Sequence, residues 1–165
     1  MNNELTALDI EKMQQELDYR RLELMPELIE EVKRTRAFGD LSENYEYKAA
    51  KQAQKANKKR IRYLTRMIAS AQIIEDASAP DEIGLFDLVE LYLEEDDDTE
   101  TVQVVTTVRC DPRQGRLSKW CPMGKELLGK RVGDRFKVTV SDTYSYYAVV
   151  RSITKQSDDG SAPIL

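Results

Sequence analysis

Apolar residues recur at helical spacing through the first half of the chain and at alternate positions through the second, which predicts two differently built parts. In the first part Ile10, Met13, Leu17, Leu24 and Leu28 follow three- and four-residue steps, with Arg21 interrupting the stripe. Leu22, Met25, Ile29 and Val32 run beside it. Pro26 sits inside this pattern and predicts a kink, because it removes one backbone donor and its ring crowds the preceding turn. The run Phe38-Gly39-Asp40-Leu41-Ser42 reads as a reversal, with Gly39 suited to end one helix and Asp40 or Ser42 to cap the next. A second helix then carries a heptad stripe of Tyr47, Ala50, Gln54, Asn57, Ile61, Leu64, Ile68 and Ala71. Polar Gln54 and Asn57 within that seam are expected to set register at some cost in stability. Two long helices joined by a turn of about five residues make an antiparallel hairpin.

Beyond Ala77-Ser78-Ala79-Pro80-Asp81-Glu82, a linker by composition, the period falls to two. Val89, Leu91 and Leu93 alternate with Leu88, Glu90 and Tyr92, and Val102, Val104, Thr106 and Val108 form the next expected strand. Phe136, Val138 and Val140, then Tyr147, Val149, Arg151 and Ile153, supply later ones. Glu94–Asp98 reads as a hairpin loop, and Pro122 to Leu128 as a short helix opened by its proline and followed by Gly129. The expected fold is therefore α+β in two domains: a coiled-coil hairpin over 1–76 with its tip at about 38–44, then an antiparallel sheet with a short helix over 84–155. Residues 77–83 are the expected linker and 156–165 a flexible tail.

Composition narrows the chemistry. The 165 residues include 25 Lys and Arg, 30 Asp and Glu, and no histidine, for a formal charge of −5. Without histidine there is no Ser-His or Cys-His catalysis and no imidazole-bound metal. Cys110 and Cys121 form no CxxC pair and read as reduced thiols of a cytoplasmic protein. No apolar run approaches the roughly 20 residues of a membrane helix, and the N-terminus lacks a signal-peptide pattern, so no membrane partner is expected. The net charge hides a segregation: residues 32–66 carry eleven basic and three acidic side chains, whereas 75–100 carry twelve acidic and none basic.

The three acids inside the basic block lie at the reversal. Asp40 and Glu43 are three positions apart across a turn, so both carboxylates can leave the end of the hairpin together. Mg²⁺ takes hard oxygen ligands, and two carboxylates alone are too few to hold it tightly but suffice to supplement a site provided elsewhere. In isolation the same residues read as helix caps and a favourable charge at a helix N-terminus.

The run Gly39-Asp40-Leu41-Ser42-Glu43-Asn44-x-Glu46-Tyr47-x-Ala49-Ala50-Lys51 resembles the signature of the Gre transcript-cleavage factors, which act on bacterial RNA polymerase. A second run, Ser118 and then Pro122-Met123-Gly124-x-x-Leu127-Leu128-Gly129-Lys130-x-Val132-Gly133-Asp134, resembles the family in the other half, and Met25-Pro26-Glu27-Leu28-Ile29 matches its kinked helix. The resemblance implies an FKBP-like second domain. It also implies a coiled coil that enters the polymerase secondary channel and stimulates cleavage of backtracked RNA. By the same resemblance Asp40 and Glu43 match the catalytic acidic pair, with Ser42 and Asn44 as tip neighbours. They would share the polymerase's Mg²⁺, with no cofactor of the protein's own, so the chain by itself is not expected to be an enzyme.

The resemblance further implies an RNA-binding basic patch for the extruded 3′ end. Its residues here are Lys33, Arg34 and Arg36 on the first arm and Lys48, Lys51, Lys55, Lys58, Lys59 and Arg62 on the second, with Arg60 and Arg66 in the same block. Docking on the polymerase rim is expected at Trp120, Cys121 and Pro122, where the family commonly has Asp-Ser before the proline. Tyr45 stands where the family commonly has a small residue. Cys121 reads as a small apolar residue and Tyr47 as a seam residue. A monomer is expected. The competing readings are a non-cleaving channel regulator of the same architecture, a prolyl isomerase-like module and a plain coiled-coil interaction module.

Overall fold

The structure is a computed structural model that describes residues 3–40 and 43–165. It divides into two compact units, one of Ile10–Ala71 and one comprising the described residues up to Asp9 together with Gln72–Leu165.

The helical unit has two arms. The first consists of α1 (Ala7–Tyr19, of which the part from Ile10 belongs here), a π-helical turn over Arg20–Leu24, and α2 (Met25–Arg36). The second is the single helix α3 (Tyr45–Ala69). Pro26 acts one turn upstream of its own position. The Met25 N–H donates to the Arg20 carbonyl, five residues back, so one extra residue is accommodated just before the proline rather than as an open break. The seam of the first arm is Met13, Leu17, Leu24 and Leu28, ending on buried Thr35. Leu22 and Ile29, from the parallel set, are exposed instead. On α3, Ala50, Asn57, Leu64 and Met67 are buried at steps of seven, seven and three. Met67 is buried where Ile68 was expected, and Ile68 is half-buried beside it.

Polar groups complete this seam. Buried Asn57 accepts from Arg20 Nη1 at 3.0 Å and donates to the Arg20 carbonyl at 3.2 Å, so it reads the π-helical turn directly. Glu16 accepts from Arg20 Nε at 2.7 Å and from Arg60 Nε and Nη2, both at 2.9 Å. Arg60 therefore faces the partner arm and not the outer surface.

The second unit contains β1 (Glu4–Leu5) paired in parallel with β2 (Gln72–Ile73), and a five-stranded sheet. The sheet strands are β3 (Leu88–Leu93), β4 (Asp98–Val105), β5 (Arg116–Ser118), β6 (Arg135–Thr139) and β7 (Ser145–Thr154), in the order β5-β4-β3-β7-β6. The sheet is mixed, because β4 and β5 run parallel. That pairing corrects the antiparallel expectation: Arg116–Ser118 is too short to show alternation, and two 3₁₀ turns return the chain to the same edge. Helix α4 (Pro122–Leu127) starts at its proline as expected.

The core joins Val89, Leu91, Val102, Val104, Phe136, Val138, Ala148 and Val150 to Met123 and Leu127 of α4. In β7 the buried parity is Ala148 and Val150, so Tyr147 and Arg151 face outward, and a bulge at Glu90/Leu91 offsets the β3–β7 register. The strand expected to reach Val108 stops at Val105, where alternation breaks into the turn Thr107–Arg109.

Three boundaries differ from the sequence expectation. Ile83, assigned to the linker, is fully buried and exchanges backbone bonds with Gly129 and Lys130 at 2.9 and 2.8 Å. The first residues belong with the sheet unit, since Gln72 N–H donates to Asn3 at 2.8 Å and Ile74 N–H to Leu5 at 2.9 Å. The end of the chain is pinned and not frayed. Asp158 accepts from the fully buried Arg109, whose Nε also pairs with buried Asp9, and Leu165 N–H donates to the Val108 carbonyl at 2.8 Å. A buried guanidinium is tolerable only with such partners, and it takes them from residues far apart in sequence.

Glu16 carries a pH dependence. The hydrogen bond from Arg60 is the largest cause holding its carboxyl below the ordinary value of 4.5, against partial burial and with help from Arg20. A lowered folded-state value gives stability that is present above the unfolded value and lost as pH falls through the folded one. Glu16→Gln is therefore expected to unfold more readily than the parent at pH 7, with the gap narrowing as pH drops below about 4.5. Urea titrations of both proteins across that range check it.

Candidate nucleic-acid interface and acidic tip

The tip is built by the end of α2 and the start of α3. At the end of α2, Ala37 N–H donates to Lys33 at 3.3 Å and Phe38 N–H to Thr35 at 3.2 Å. Gly39 then turns with φ +107°, a conformation that a side chain would strain. Asn44 does what Asp40 or Ser42 was expected to do. Its Oδ1 accepts from the Tyr47 N–H at 3.0 Å, which makes it the N-cap of α3. Its Nδ2 donates to the Thr35 carbonyl at 2.8 Å, so the same amide ties α3 to the last turn of α2. Thr35 is itself fully buried and donates to the Glu31 carbonyl at 2.8 Å. The sequence signal for this clamp was present, since Asn is a strong capping residue three positions before Tyr47, but its second bond depends on the opposite arm.

Asp40 and Glu43 are both exposed, one on either side of two positions, Leu41 and Ser42, that lie outside the described residues. Among the described residues no three carboxylates or thiols gather into a metal-holding group. Asp40 and Glu43 are thus two exposed carboxylates at the end of the hairpin, hard oxygen donors in type.

Lys48, Lys51, Lys55, Lys58 and Arg62 follow steps of three and four on α3, one residue after the seam positions, and all are exposed. That offset turns them about 100° from the seam, so they form one basic stripe that starts beside the tip. Side chains from Lys51 to Arg62, including Lys59, border an open concavity of about 690 Å³. The first arm contributes less free charge. Lys33 pairs with Glu30 at 2.7 Å, and Arg34 makes a two-bond pair with Glu31 at 2.6 and 2.9 Å that holds this carboxyl below its ordinary range. Arg36 is exposed at the end of α2.

In the sheet unit Trp120 is 54% exposed, with the Lys119 ammonium 5.1 Å from its ring. The Trp120 backbone N–H donates to Ser118 Oγ at 3.2 Å. Cys121 is a cap and not an apolar filler: its sulfur accepts from the Gly124 N–H at 3.2 Å, directly before Pro122 in the first turn of α4. Gly124 allows this helix to lie against the preceding loop, since a Cβ there would stand 2.2 Å from the Ser118 carbonyl. The motif glycine is thus a packing requirement.

Residues 3–73 match the family described as transcription elongation factor, N-terminal, and residues 78–155 match the one described as transcription elongation factor, GreA/GreB, C-terminal. The chain belongs to the GreA/GreB family. Among its GreA/GreB relatives, the transcription elongation factor GreA of Geobacillus kaustophilus is 43% identical over 129 residues, covering 78% of this chain and 82% of that one. GreA of Bacillus subtilis is 38% identical over 134 residues, covering 81% and 85%. The solved structure of GreA factor homolog 1 from Thermus thermophilus is 28% identical, covers 94% of this chain and all of its own, and aligns with a TM-score of 0.44.

Asn44→Ala removes both bonds of the clamp. It is expected to destabilise the helical unit by about 1–2 kcal/mol, with hydrogen exchange accelerated first at the amide of Tyr47. Native-state exchange measured residue by residue checks it.

Proposed function

We propose that this GreA/GreB-family protein is a transcript-cleavage factor, whose hairpin enters the secondary channel of bacterial RNA polymerase and stimulates hydrolysis of backtracked RNA. The observation that carries the reading is the arrangement at the hairpin end. Two exposed carboxylates, Asp40 and Glu43, flank a tip pinned by Asn44, and a basic stripe begins within one helical turn of it.

The division of labour follows from the chemistry. Asp40 and Glu43 accept hydrogen bonds from a water and orient it for attack, and they add oxygen ligands to a metal that the polymerase holds. When bound, Mg²⁺ supplies Lewis-acid activation of that water and charge stabilisation at the leaving oxygen. Asn44 ties the two arms beside the pair, and Ser42 is the other proposed tip neighbour. Lys48, Lys51, Lys55, Lys58, Lys59 and Arg62 neutralise phosphates of the extruded 3′ segment, which draws RNA to the acids without reading its sequence. Without such a stripe the tip acids would repel the phosphodiester they act on. Trp120, Cys121 and Pro122 dock on the channel rim, with the exposed indole as the apolar anchor. The active site is composite, so the protein alone hydrolyses nothing and works in the cytoplasm, where the polymerase is.

Asp40→Asn and Glu43→Gln are each expected to lower cleavage of a defined backtracked complex on the order of 100-fold while leaving polymerase binding intact. Cleavage at the parent rate by both variants would sink the reading in favour of a channel regulator that does not cleave. Lys55→Gln is expected to reduce the salt dependence, lowering the slope of log affinity against log salt by about 0.7 for one lost single-strand phosphate contact. Titration of 3′ fragment release against KCl concentration checks it.

A further inference from the structure

Among the described residues no large apolar side chain is more exposed than Tyr45, at 79%. It is the first residue of α3, directly after Asn44, so its backbone leaves the clamp in a defined direction. A ring that exposed contributes little to the packing of its own hairpin, and Tyr47, two positions on, is the half-buried member of the pair. The Lys48 ammonium lies 5.5 Å from the Tyr45 ring centroid. In sequence Tyr45 lies between Glu43 and Lys48, the first cation of the basic stripe, and its ring is beside that cation.

An exposed aromatic beside a cation is the arrangement that holds single-stranded nucleic acid, the ring stacking on a base and the cation meeting the adjoining phosphate. Tyrosine suits the task because it offers a large flat face with little rotamer freedom to lose. We propose that Tyr45 is a substrate-contacting residue, whose ring stacks on a nucleobase of the extruded 3′ RNA segment and holds the phosphodiester next to Asp40 and Glu43. The proposal rests on the cleavage reading above and adds a contact to a base where the basic stripe contacts only phosphates. Stacking accepts any base, because every base has a flat face, so the contact requires no particular sequence.

Cleavage by the parent, Tyr45→Ala, Tyr45→Phe and Asp40→Asn is compared on backtracked complexes of whole RNA polymerase. The RNA is either intact or carries a single abasic nucleotide moved one position at a time through the extruded segment. Tyr45→Ala is expected to raise the concentration for half-maximal cleavage about five- to tenfold on intact RNA, and Tyr45→Phe to restore the parent value. At one abasic position the parent and Tyr45→Ala should become equal, which loss of helix stability would not produce. A penalty that persists on every abasic RNA, or no penalty on intact RNA, overturns the stack. Asp40→Asn should lose cleavage on every RNA, so failure of the acidic pair is read separately. If the parent releases no fragment, the cleavage reading fails. The stack is then decided by photocrosslinking from 4-thiouridine placed in the 3′ segment: a crosslink lost in Tyr45→Ala supports it, and none in the parent overturns it.

Discussion

The hairpin depends on the bond pair between Asn57 and Arg20. A seam of Met13, Leu17, Ala50, Leu64 and Met67 buries apolar surface but would accept a slide of one arm against the other, since similar side chains recur every turn or two. A buried amide accepts no such slide. Asn57 has its oxygen met by Arg20 Nη1 and its nitrogen by the Arg20 carbonyl, and leaving either group without a partner would cost about 1–3 kcal/mol. The carbonyl it reads belongs to the π-helical turn that absorbs Pro26, so the proline, the turn and the asparagine form one register device. With that register set, Thr35 comes opposite Asn44, and a hydrogen bond between them ties the start of α3 to the last turn of α2.

Charge is sorted by which face it occupies, and the sorting has a functional sense. Arg20 and Arg60 turn inward onto Glu16, where they act on stability. Lys33 and Arg34 are answered by Glu30 and Glu31 on their own helix. The stripe from Lys48 to Arg62 stays exposed on one side of α3. A count of +8 over residues 32–66 thus overstates what a polyanion meets and conceals that the exposed cations of α3 lie along one stripe. The buried pairing of Arg109 with Asp9 and Asp158 is the counterpart in the other unit, where charges close the fold on one another.

Much of this is legible in the sequence. The helical hairpin, an irregularity just before Pro26, the seam through Ala50, Asn57 and Leu64, the loop after Leu93 and the helix opened by Pro122 all follow from spacing and from residues with narrow backbone preferences. The tip acids and the basic block were visible as chemistry at a turn. Other features were not legible, for identifiable reasons. Arg116–Ser118 is a strand only because β4 offers it a parallel edge, and three residues show no period. The parity of β7 depends on a bulge in its pairing with β3, which shifts the buried set from Tyr147 and Arg151 to Ala148 and Val150. The last ten residues have the composition of a loose tail, yet Asp158 is held because Arg109 needs a second carboxylate.

By itself the sequence determined what is periodic or local: two helices and where they turn, strands and where they alternate, a proline that must be absorbed, and acids set within a basic run. Tertiary structure decided which of the candidate polar groups do which work. Asn44 rather than Asp40 or Ser42 caps α3, because its amide can also reach the Thr35 carbonyl across the hairpin. Asp40 and Glu43 are both exposed at that end of the hairpin. The physical reason is that a hydrogen bond needs a partner at about 3 Å, and partners separated by many residues are brought that close only by the completed fold.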